Sequence, residues 1–61
     1  MKVYGKLGTW PLGLYFVRGR KRVLVKGRRV MLRSYSDPRC NKWVEAIVEE
    51  VNDNCTFFSL A

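Results

Sequence analysis

Three short runs, Leu14–Arg18, Arg22–Lys26 and Arg29–Tyr35, are rich in Val, Phe, Leu and Tyr and are separated by Gly19 and Gly27. This punctuation constrains the fold more than any other feature. β-Branched and aromatic residues suit a pleated surface, and glycine supplies the positive φ that tight hairpin turns require. Two consecutive hairpins follow, and with them a three-stranded antiparallel sheet over residues 14–35. A two-residue turn at Lys26-Gly27 sets Val25 opposite Arg28 and Val23 opposite Val30. A turn at Gly19 that sets Val17 opposite Arg22 brings Phe16 to Val23 and Leu14 to Val25. Side chains alternate across a strand. Leu14, Phe16, Val23, Val25, Val30 and Leu32 therefore gather on an apolar face, and Tyr15, Val17, Arg22, Leu24, Arg29, Met31 and Arg33 on the other.

The pattern then changes period. Ser36 or Asp37 suits a helix cap, and Pro38 suits a first turn that needs no amide hydrogen. Val44, Ile47, Val48 and Val51 recur at i, i+3, i+4 and i+7, with Cys40 on the same side and Glu45, Glu49 and Glu50 facing away. The spacing predicts an amphipathic helix over 38–51, ended by Asn52-Asp53-Asn54. A helix of this length is unstable alone in water, so its apolar stripe is expected to cover the sheet. The expected fold is α+β: a three-stranded antiparallel sheet packed on one C-terminal helix, in the order β-β-β-α, within a single domain spanning residues 1–61. Residues 1–13 read as an arm or a short first strand. Residues 55–61, with Phe57, Phe58 and Leu60, read as an apolar tail that wraps the core edge or faces a partner.

Charge is distributed as unevenly as the glycines are regular. Twelve Lys and Arg stand against five Asp and Glu, for a formal charge of +7. All five acids lie between Asp37 and Asp53, whereas residues 18–33 hold eight bases and no acid. Such a balance attracts polyanions. On the expected sheet, Arg22, Arg29 and Arg33 share one face with Tyr15 and Met31, while Arg18, Arg20, Lys21, Lys26 and Arg28 flank it at turns and edges. These ten are the candidate nucleic-acid-binding residues. Arginine contacts phosphates and reads guanine edges in the major groove, and a tyrosine can stack on an unpaired base.

Several classes of function are disfavoured. There is no His, and the expected helix holds Cys40 and Cys55 roughly 20 Å apart, so two free thiols are expected and neither a disulfide nor a zinc site. No cofactor is expected. The carboxylates line one solvated face instead of forming a positioned acid–base pair, which argues against an enzyme. The N-terminus lacks a signal-peptide pattern and no apolar run approaches the roughly 20 residues of a membrane span. A cytoplasmic or nuclear protein with no membrane partner is expected.

The stretch Val25-Lys26-Gly27-Arg28-Arg29-Val30-Met31-Leu32-Arg33-Ser34-Tyr35-Ser36-Asp37 resembles a hairpin pattern of AP2-like DNA-binding domains. It is also similar to the arm-binding domains at the N-terminus of phage-type tyrosine integrases. The likeness covers roughly residues 14–51 and implies a sheet lying in the major groove, with Arg29 and Met31 toward DNA and Val30, Leu32 and Tyr35 in the core. Separately, Asp37-Pro38 followed by Lys42-Trp43-Val44 resembles the start of the chemokine C-terminal helix, which implies a secreted ligand. The leading expectation is a non-enzymatic module that binds double-stranded DNA, of a compactness that suits a viral or mobile-element origin. RNA binding, and a small basic effector that docks on an acidic host protein, are the alternatives. A protein partner or second copy would dock on Trp10, Trp43 or Phe57-Phe58.

Overall fold

The computed structural model describes residues 1–19 and 24–61. Arg20, Lys21, Arg22 and Val23 lie outside the described residues, and with them part of the expected middle strand. The described residues form six strands: β1 (Lys2–Gly5), β2 (Gly8–Trp10), β3 (Leu14–Arg18), β4 (Arg29–Ser34), β5 (Val44–Val51) and β6 (Cys55–Leu60). They make one sheet in the order β1-β4-β5-β6-β3-β2, in which β1 runs parallel to β4 and every other pair is antiparallel. The chain is therefore all-β, and the expected α+β architecture is overturned. The β-β-β-α order implied by the AP2-like and chemokine-like resemblances falls with it.

The expected helix over 38–51 is a single 3-10 turn, Pro38–Cys40, followed by strand β5. The error has a definite cause. Val44, Ala46 and Val48 alternate inward as in any strand, opposite Leu32, Val30 and, on β6, Phe58. A register shift between Val48 and Glu50 then adds one residue, which returns Val51 to the inner face beside Thr56. A bulge of this kind turns a two-residue period into a three-residue step. Together with outward Ile47, it imitates a helical stripe. β-Branched residues fill half of β5, as strands favour. The Asn52-Asp53-Asn54 cluster is a hairpin turn: Asn52 Oδ1 accepts from the amides of Asn54 at 2.9 Å and Cys55 at 2.8 Å. Asparagine favours such side-chain-closed turns for the same reason that it stops helices.

The sheet is curled, and a short connection links its two edge strands, which do not pair with each other. Only Lys6 and Leu7 separate β1 from β2, and Leu7 is clamped there. Its amide donates to Ser36 Oγ at 3.0 Å and Ser34 Oγ at 3.3 Å, and Ser36 Oγ donates back to the Leu7 carbonyl at 3.2 Å. The curl encloses a core of Val3, Leu7, Tyr15, Val17, Leu24, Val30, Leu32, Cys40, Ala46, Val48 and Phe58. The expected tail is thus β6, an interior strand flanked by β5 and β3, with Phe58 wholly buried.

Half of the expected face assignment is reversed. On β4, Val30 and Leu32 are buried and Arg29 and Arg33 exposed, as anticipated. On β3 it is Tyr15 and Val17 that are buried, while Leu14 and Phe16 lie on the outer side and are only partly covered. Leu24 is likewise core, and Val25 is exposed. The turn at Lys26-Gly27 is present, with Gly27 at φ +90° and the Arg28 amide bonded to the Val25 carbonyl at 3.1 Å. Yet β3 and β4 are not partners of a strand between them. β3 pairs with β2 and β6, and β4 with β1 and β5. A change of partner that shifts pairing by one residue exchanges the two faces of a strand.

Outside the curl, Trp10, Phe16 and Phe57 form a small second cluster, with ring centroids 5.5–5.8 Å apart. Phe16 lies across Gly8, and a Cβ at that glycine would overlap its ring. Gly8→Ala is therefore expected to cost about 1–3 kcal/mol by forcing the ring off its site. A urea unfolding midpoint below that of the unsubstituted chain would show it; an unchanged midpoint would mean the ring moves aside freely.

Candidate functional site

The outer face of β1 and β4 carries side chains that folding does not explain. On β1, Lys2 and Tyr4 flank inward Val3; on β4, Arg33 stands between inward Leu32 and Ser34, and Tyr35 follows at the strand end. The parallel register sets Tyr4 beside Arg33 and Lys2 beside Met31. Trp43, one residue before β5, completes the group. The Tyr4 ring centroid lies 5.7 Å from that of Tyr35 and 6.4 Å from that of Trp43, at interplanar angles of 52° and 55°. Tyr4 is 58% exposed and Tyr35 67%.

Two cations are placed against these rings. Lys2 Nζ lies 5.2 Å from the Trp43 ring centroid, and the Arg33 guanidinium lies 5.8 Å from that of Tyr4. Both are within reach of the ring quadrupole, an attraction worth about 0.5–1 kcal/mol at an exposed site. The contact also sets each charge over its ring, beside the exposed tyrosines. A chain of only 61 residues has little apolar surface to spare. Here two tyrosines stay mostly in water, whereas Trp10 and Phe16 cover Phe57 down to 9% exposure. Trp10 is itself 52% exposed, but its ring covers Phe57; the Tyr4 cluster leaves two tyrosines open and sets cations against its rings.

The residues expected to bind nucleic acid divide into several groups. Arg33 belongs to the aromatic cluster. Arg29 lies on the same strand face but is ion-paired, its Nη1 2.9 Å from Glu45 Oε1. Met31 lies between them, half-buried. Lys26 and Arg28 are exposed in the turn before β4, and Arg18 is exposed on β3 opposite Cys55, across the sheet from Arg33. Tyr15 cannot stack on a ligand: it is 5% exposed in the core, and its hydroxyl accepts from Arg39 Nη1 at 3.0 Å. Arg20, Lys21 and Arg22 lie outside the described residues. Of the basic face expected from the sequence, Arg29, Met31 and Arg33 stay together on β4, whereas Tyr15 and Leu24 turn into the core. Tyr35, expected in the core, is a surface ring.

Lys2, Tyr4 and Tyr35 are the site residues that sequence reasoning missed, and Trp43 was expected only as a docking residue for a protein partner. A signal for them existed. Lys2-Val3-Tyr4 and Arg33-Ser34-Tyr35 both place a cation and an aromatic two residues apart around a buried position, which puts the pair on one face of a strand.

Other chemistry finds little footing. Cys40 is wholly buried, and burial pushes its thiol above the ordinary range, which keeps it protonated and unreactive. Cys40 and Cys55 are free thiols in this structure, and strand β5, not a helix, lies between them in the chain. Among the described residues no group of three or more His, Cys, Asp or Glu comes together, and no helix is long and apolar enough to cross a membrane. No protein-family model, curated protein or solved structure matches this chain significantly.

Proposed function

We propose that this chain is a non-enzymatic module that binds single-stranded nucleic acid on the outer face of β1 and β4. The observation that carries the reading is the exposed Tyr4 and Tyr35 beside half-buried Trp43, with Lys2 and Arg33 held against the rings. Bases stack on aromatic rings whatever their sequence, and cations beside the rings meet the phosphates that link them. Lys42, next to Trp43, extends the positive margin. Docking of a three-stranded basic sheet in the major groove is not retained, because Tyr15 and Leu24 of that face are core residues. Free thiols fit a reducing compartment, and the cytosol or nucleus is the proposed setting.

The test is a fluorescence titration with single strands of about eight nucleotides, within the footprint of small single-strand-binding domains. Trp10→Phe leaves Trp43 as the reporter. Its emission is expected to be quenched saturably, and a duplex of the same length is expected to compete poorly. Engagement of Lys2, Arg33 and Lys42 by phosphates predicts that log affinity falls with log salt at a slope of about −2. Equal competition by duplex overturns the single-strand reading in favour of unselective phosphate binding, and no quenching by any strand favours a protein ligand for these rings.

A further inference from the structure

Beside the aromatic group lies a cleft of about 330 Å³, lined by Tyr4, Arg33, Tyr35, Ser36, Asp37 and Asn41 among others. Its volume is at the lower end of ligand sites, suited to one planar group more than to an extended molecule. We propose that this cleft receives a single unstacked guanine base and reads it through Asp37; the inference rests on the single-strand reading above.

The chemistry of the cleft selects for a base. Asp37 is one of five acids in a chain of twelve cations, and it sits in the wall of a pocket beside the stacking rings. A carboxylate there repels phosphate and attracts hydrogen-bond donors. Its position is fixed: Asp37 Oδ1 accepts from the Arg39 amide at 2.9 Å, and the Asp37 carbonyl accepts from the Cys40 amide at 3.0 Å. An ionised carboxylate has about four acceptor sites, so one such bond leaves most of its capacity for a ligand.

Guanine presents two adjacent donors, N1–H and the 2-amino group, next to the O6 acceptor. That pair matches the two oxygens of a carboxylate, while the Asn41 amide or the Arg33 guanidinium supplies a donor for O6. The other bases oppose this arrangement. Uracil and thymine flank a single N–H with two carbonyl oxygens, and adenine and cytosine set a ring-nitrogen lone pair beside their amine. Each of these turns at least one acceptor toward Asp37, and such opposition sharpens specificity as much as attraction does. Tyr4 and Tyr35 line the same cleft and offer the base a stacking face.

The experiment measures affinity of the full chain for all-pyrimidine single strands and for the same strands with one central guanine, in RNA and DNA forms. The guanine-bearing strand is expected to bind at least about tenfold more tightly, in line with a bidentate contact to a base. Inosine, which lacks the 2-amino group, is expected to fall between the two. A guanine preference in only one sugar series identifies the natural source of the base. Asp37→Asn keeps a residue type that caps turns as well as Asp does, so the variant is expected to fold. It should lose the guanine preference while still binding the all-pyrimidine strand. If wild-type protein binds both strands equally, or the variant keeps the preference, the guanine site is overturned and the stacking surface stands. If no strand binds, both fall.

Discussion

Replacing Tyr4 and Tyr35 together by alanine is expected to weaken single-strand binding by at least about thirtyfold. Stacking of a base on an aromatic ring contributes about 1–3 kcal/mol by alanine substitution, so two rings account for about 2 kcal/mol at the least. The substitution should leave the fold in place, because both rings are more than half exposed and neither belongs to the core. An equilibrium titration beside a thermal melt separates the two effects. A large loss of affinity with a melting temperature close to that of the unsubstituted chain fits a binding surface. A melt that collapses would show instead that the rings hold β1 against β4. Undiminished binding would mean that nucleic acid, if bound, lies elsewhere.

The largest effect on stability is expected at Phe58. This side chain is wholly buried on an interior strand, between Tyr15 of β3 and Val48 of β5. Phe→Ala in a core costs about 3–5 kcal/mol. A domain of this length has a total stability of about 3–9 kcal/mol, at 0.05–0.15 kcal/mol per residue. Phe58→Ala should therefore be largely unfolded, or close to it, at 25 °C, with loss of amide dispersion in the NMR spectrum. Phe57, its neighbour, points to the other side and packs on Trp10 and Phe16. Its replacement opens no cavity in the main core and should cost less. A fold that survives Phe58→Ala intact would contradict the curled sheet.

These two residues also show what the sequence revealed and what it concealed. The strands at 14–18 and 29–34 are legible because short β-rich runs are bounded by glycine and because Val30 and Leu32 alternate with cations. The Lys26-Gly27 turn is legible for the same local reason. Strand β5 is not, because its bulge rewrites the period on which the distinction between helix and strand depends. Phe57-Phe58 reads as a tail when the preceding segment is taken as helix, and as an interior strand once β5 is available to pair with it. The site was lost by the same route. Tyr4 sits in a four-residue strand whose partner lies far along the chain, and Trp43 sits at the start of the misread segment. What local chemistry determines was visible; what long-range pairing determines was not.

The parallel pairing of β1 with β4 has a further consequence. Most of the sheet is built from antiparallel neighbours, and the β5–β6 hairpin closes through three asparagine- and aspartate-rich turn residues. β1, in contrast, is a four-residue edge strand held through one neighbour, β4. Tyr4 travels with it. The aromatic surface thus exists only in the fraction of molecules whose N-terminal strand is docked, and the apparent affinity is reduced by that fraction. A nucleic acid bound across Tyr4 and Tyr35, as proposed, would join this edge strand to the rest of the sheet. Its binding free energy and the completion of the fold are one linked quantity.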